Sequence, residues 1–94
     1  MLKHRTSEEV FSLFPEVLAA RIADLRYDEQ VALFRFITLK YSADAMVDAE
    51  RGRPQLSQKL LTLAERTGAA AETADEIWNI CKEHMKESPE ESSS

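Results

Sequence analysis

Cys81 and His84 stand three residues apart near the end of the sequence, a spacing that places a thiol and an imidazole on one helical face. Such a pair has two chemistries open to it, metal ligation and nucleophilic attack. Zinc takes three or four protein ligands, and the other histidine, His4, sits in the polar N-terminal segment, so no metal site is expected. As nucleophile and base, the pair lacks an orienting third group and a glycine-bearing turn to hold an oxyanion. No Glu-x-x-His, phosphate loop, dinucleotide glycine pattern or Gly-x-Ser-x-Gly occurs. The sequence therefore predicts no catalytic residue, no metal and no cofactor. A packed core thiol beside a half-exposed histidine is the simpler reading.

Two other stretches invite a nucleic-acid reading. Arg51-Gly52-Arg53-Pro54 resembles the core tetrapeptide of the AT-hook, whose arginines follow the narrow, negative minor groove of A·T-rich DNA. Its flanks, Asp48 and Glu50 before and Gln55 and Leu56 after, point to an ordinary connection between helices. The stretch from Leu63 to Ile77 resembles a helix-turn-helix unit, with Gly68 at the turn, small Ala64 before it, and Ala74 and Ile77 as inward positions after it. That resemblance implies that the second helix would offer Glu72, Thr73, Asp75 and Glu76 to the major groove. Three carboxylates there would be repelled by phosphate, so a structural helix pair is preferred.

The elements that position these residues follow from the breakers. Thr6 with Glu9 forms a capping box opening a short helix that carries Val10, Phe11, Leu13 and Phe14. Pro15 disfavours helical geometry at Phe14 and restarts a helix whose stripe is Leu18, Ile22 and Leu25. Asp28 is placed as the cap of a third helix from Glu29 to Glu50. Its first half, through Leu33, Phe34, Phe36, Ile37, Leu39 and Tyr41, is apolar around most of its circumference, which predicts a central helix with Phe36 fully buried. Val31 to Tyr41 also suits a strand, but it has no hairpin turn beside it and no second strand-like run to pair with. Beyond Ala43, Asp44 and Asp48 fall on the formerly apolar side, which predicts an end projecting into water. Gly52 and Pro54 separate this helix from a fourth carrying Leu56, Leu60 and Leu63, which Gly68 ends. A fifth, with a capping box at Thr73 and Glu76, carries Ala74, Ile77, Trp78, Cys81 and Met85. The expected fold is all-α: a compact bundle of about five helices with a helix-turn-helix-like C-terminal pair, one domain over 1–87, and a disordered acidic, serine-rich tail over 88–94.

Composition bounds the function. One cysteine excludes an internal disulfide, the N-terminus shows no secretory pattern, and the longest nearly uncharged run, Val31 to Leu39, is too short to span a bilayer, so a cytoplasmic protein away from membranes is expected. Residues 1–43 balance six acids against six bases, whereas residues 44–94 set eleven acids against six bases. The net charge of −5 thus lies in the second half and suits a basic protein partner better than nucleic acid. The expected function is a non-enzymatic protein–protein interaction module, an adaptor, regulator or assembly factor; the alternative is a helix-turn-helix DNA-binding regulator. Ile80 lies about 100° from the centre of its helix's stripe, and the central helix needs cover on most sides. Both point to a homodimer, with Ile80, His84 and Tyr41 as the candidate interface and the end of the central helix, Met46 and Val47, as a second possibility.

Overall fold

The computed structural model describes residues 4–87, and the expected tail over 88–94 lies outside them. Those residues form four helices: α1 (Ser7–Phe11), α2 (Pro15–Ala23), α3 (Tyr27–Glu50) and α4 (Pro54–Glu87). The all-α class holds, with four elements where five are expected, because α4 runs unbroken through Gly68.

The Thr6–Glu9 box and Pro15 act as the sequence predicts, but α1 ends at Phe11, so Leu13 and Phe14 lie outside the helix expected to carry them. The Thr6 hydroxyl accepts from the Glu9 backbone N–H at 3.1 Å, and the Glu9 carboxylate accepts from the Thr6 N–H at 3.3 Å. Ser12, in the left-handed region at φ 59°, closes α1, and Pro15 opens α2. The start of α3 differs by two residues. Arg26, not Asp28, occupies the cap position, and its side chain caps no backbone group of the helix. Asp28 sits in the first turn, where it accepts from the Glu29 N–H and from the Arg26 guanidinium. Gln30 ties the α2–α3 link down by donating to the carbonyls of Ala23 and Leu25.

Antiparallel pairing of α3 and α4 is the main tertiary event. Three contacts descend one helix as they climb the other: Ser57 donates to the Ala45 carbonyl at 2.7 Å, the Thr38 and Thr67 hydroxyls meet at 2.6 Å, and the Arg26 guanidinium lies 5.6 Å from the Trp78 ring centre. The seam repeats every three or four residues. On α3 it takes Val31, Phe34, Thr38, Tyr41, Ala45 and Asp48; on α4 it takes Ser57, Leu60, Ala64, Thr67, Ala71, Ala74 and Trp78, and the same spacing continues past the start of α3 through Cys81 and Met85. This is the heptad spacing of a coiled-coil pair. Small side chains dominate its interior: Ala45, Ala64, Ala71, Ala74 and Ser57 are buried, and Gly68 faces Thr38.

Alanine stripes also explain why the helix does not break at Gly68. Ala69, Ala70 and Ala71 are the strongest helix formers, and a single internal glycine costs only about 1 kcal/mol. Thr73 does not cap a new helix; its hydroxyl donates back to the Ala69 carbonyl, as threonine does mid-helix. The expected helix-turn-helix-like pair is thus one rod of 34 residues, about 51 Å long at 1.5 Å per residue.

Two further expectations are corrected. The C-terminal end of α3 does not project into water, because Ala45 is the most buried apolar residue among those described, at 1% exposure. Asp44 and Asp48 flank it, held by Lys40 at 2.7 Å and Arg53 at 3.2 Å. Phe36 is not buried either. It is 70% exposed, because it points away from α4 and no third element covers it. The bundle is accordingly an elongated slab of 55 × 28 × 15 Å rather than a compact one. Its radius of gyration is 17.0 Å, where a compact domain of this length reaches about 12 Å.

Candidate interaction surface

Opposite the seam, α3 carries a second apolar face. At 100° per residue, Leu33, Phe36, Leu39, Ala43, Met46 and Val47 fall within an arc of about 140° whose centre lies almost directly opposite the α4-facing side. Phe36, Met46 and Leu39 are 70%, 66% and 64% exposed, the highest values among the large apolar residues described. These positions keep the same three-and-four spacing as the seam, displaced around the helix. An apolar helix of this kind is two-sided rather than central: one side is used by α4 and the other is open.

The rest of the molecule repeats the pattern on a smaller scale. Leu56, Leu63 and Ile77 form an exposed row along the flank of α4, each seven or fourteen residues from the next. Val10, Phe11, Phe14, Val17, Ile22 and Leu25 leave the α1–α2 arm similarly apolar and similarly exposed. No large side chain among the described residues is fully buried. The fold buries alanine and displays phenylalanine, leucine and methionine.

The five expected interface residues are not brought together within one chain. Met46 and Val47 belong to the open face of α3, whereas Tyr41 is half-buried toward α4. Ile80 and His84 are exposed on the outer side of α4 near the opposite end of the hairpin. Since Met46 lies level with Ser57, Ile80 is about 35 Å further along the rod. Leu33, Phe36 and Leu39 are members of the face that sequence reasoning does not pick out. Their spacing matches that of Met46, but apolar residues all round a helix read equally as burial on all sides.

Cys81 is half-buried on α4 beyond the level at which α3 starts, His84 is exposed, and no three of the described His, Cys, Asp or Glu residues are grouped to hold a metal ion. Arg26 holds the Asp28 carboxyl below its usual range through the hydrogen bonds between them, and Asp28 raises the guanidinium in turn. Arg26 and Lys82 lie on the Trp78 ring, at 5.6 and 6.0 Å from its centre. Arg53 of the Arg-Gly-Arg-Pro stretch is engaged by Asp48, and that stretch connects α3 to α4. Along the back of α4, Glu65, Glu72, Glu76 and Glu83 fall within about 40° of one another and are all exposed. No described helix is long and apolar enough to cross a membrane. No protein-family profile, curated protein or solved structure matches the chain.

Proposed function

We propose that the chain is a non-enzymatic protein–protein interaction module, a small acidic adaptor, regulator or assembly factor that works by docking its open helix faces. The observation that carries this reading is the inversion of the fold. Eighteen large apolar side chains among the described residues stay exposed while alanines fill the seam. Scattered exposed leucines are ordinary on any protein. A row of them along one side of a helix supports a docking role. The glutamate row on α4 adds a partner preference, since it offers negative charge to a basic surface. The DNA-regulator alternative loses support, because the turn it needs at Gly68 is continuous helix and the residues it would insert are mid-rod carboxylates. A cytoplasmic setting away from membranes fits this role.

Three baits test the reading: the full chain, a Phe36→Glu, Leu39→Glu variant, and a Glu65→Gln, Glu72→Gln, Glu76→Gln variant. The expected result is a protein retained by the first and lost from at least one of the others. An identical set of proteins on all three would overturn it. The unmodified chain is also expected to flow through heparin resin at low salt, whereas salt-eluted retention would favour nucleic acid.

A further inference from the structure

We infer that the open face of α3 is covered by the same face of a second copy, the two α3 helices crossing antiparallel with the two-fold axis beside Leu39 and Lys40. This rests on reading the open faces as docking surfaces and names the occupant of one of them.

The apolar positions of the face pair with one another about that axis, while Glu29 and Glu50, on the same arc, fall opposite each other at its two ends. Reversing α3 around Leu39 and Lys40 sets Phe36 of one copy opposite Ala43 of the other, twice over, and Leu33 opposite Met46 and Val47. The largest side chain of the face therefore meets its smallest, as a knob meets a hole. The charged residue nearest the axis is Lys40, and each Lys40 is already held by Asp44 of its own chain at 2.7 and 2.8 Å. Two such lysines approach as neutralised ion pairs rather than as bare cations.

The area is sufficient. Taking about 200 Å² for a fully exposed large side chain, Leu33, Phe36, Leu39, Met46 and Val47 show about 550 Å² between them. A dimer of ordinary size buries about 800 Å² per subunit, some two-thirds of it apolar at the centre. The face thus supplies about the whole apolar centre of such an interface, and its flanks supply the rim. Pairing also answers the shape of the molecule: two slabs of 55 × 28 × 15 Å, joined edge to edge along α3, enclose a row of large side chains that a single hairpin cannot. In the pair, α3 becomes the buried central helix that its composition calls for.

Sedimentation of the purified full chain at micromolar concentration tests the pairing without any other protein. The expected species has twice the 10.7 kDa chain mass. Phe36→Glu is expected to weaken it about 100-fold or more, since each substitution enters the interface twice, and to leave the helical signal unchanged because Phe36 makes no seam contact. Orientation is read by cysteine cross-linking in a Cys81→Ser background. Leu39→Cys, beside the axis, is expected to give a covalent dimer with a short bis-maleimide. Glu29→Cys is expected not to, because antiparallel pairing sets its two copies about 30 Å apart. A monomer at every concentration overturns the inference, as does a dimer indifferent to Phe36→Glu or one that cross-links at Glu29. A monomer whose baits still lose a partner with Phe36→Glu, Leu39→Glu leaves the docking reading intact and removes only the second copy.

Discussion

Replacing Ala45 by leucine is expected to cost about 3 kcal/mol of stability, while replacing Phe36 by alanine costs under about 1 kcal/mol in the dilute limit. In an ordinary core the order runs the other way, since deleting a buried phenylalanine opens a large cavity. Here the seam decides. Ala45 is 1% exposed, and its carbonyl accepts from Ser57 at 2.7 Å, so α4 cannot withdraw to admit three more carbons without losing that bond. Ala71, at 2% exposure, is expected to respond in the same way. Phe36 loses little because most of its ring already faces water. Urea unfolding followed by circular dichroism, extrapolated to low protein concentration, gives both values. A neutral Ala45→Leu would mean that the helices are not in close apposition at that level. If pairing of α3 operates, the cost of Phe36→Ala should grow with protein concentration, because the lost contact is then intermolecular.

Local signals are easily legible in this sequence, and long-range ones are not. The Thr6–Glu9 box, the Pro15 restart and the Gly52–Pro54 connection each act within one turn of chain, so residue type alone decides them. The apolar circumference of α3 is equally visible, yet it admits two physical outcomes: one bundle surrounding the helix, or separate partners on its two sides. Choosing between them depends on what α1 and α2 cover, and no spacing encodes that. The reading of Asp44 and Asp48 as a solvated end fails for a related reason. Carboxylates at the margin of a seam can pair with Lys40 and Arg53 while an alanine between them packs, so charge beside a stripe does not end the stripe. Among the candidate interface residues, Met46 and Val47 stand out in the sequence because they continue the face beyond the crowded half of α3. Phe36 does not, because size and apolarity look the same whether a partner is in the chain or outside it.

Gly68 is where a local signal misleads, and its substitution gives the most direct test of the fold. Gly68→Ala is expected to stabilise the chain by about 1 kcal/mol, and Gly68→Pro to destabilise it by about 3 kcal/mol or more. In a continuous α4, alanine removes the entropic penalty of an internal glycine. Its methyl would meet the Thr38 side chain at 3.9 Å, an ordinary contact, so no steric cost offsets the gain. Proline at the same position removes the N–H that bonds back to Ala64 and drives its ring against that carbonyl, in the middle of the packed seam. A helix-turn-helix pair with glycine at the turn gives the opposite sign for alanine, because a Cβ strains a left-handed residue. Gly52 serves as the internal control. It lies at φ 77°, and a methyl added there would meet nothing within 4 Å, so Gly52→Ala changes backbone strain alone and is expected to cost about 1 kcal/mol. For a domain of this size each kcal/mol moves the melting temperature by about 4–8 °C, well within calorimetric resolution. Opposite shifts from the same substitution at the two glycines would establish one as helix interior and the other as turn. A lower melting temperature for Gly68→Ala would restore the turn, divide α4 in two, and with it reopen the DNA-binding alternative.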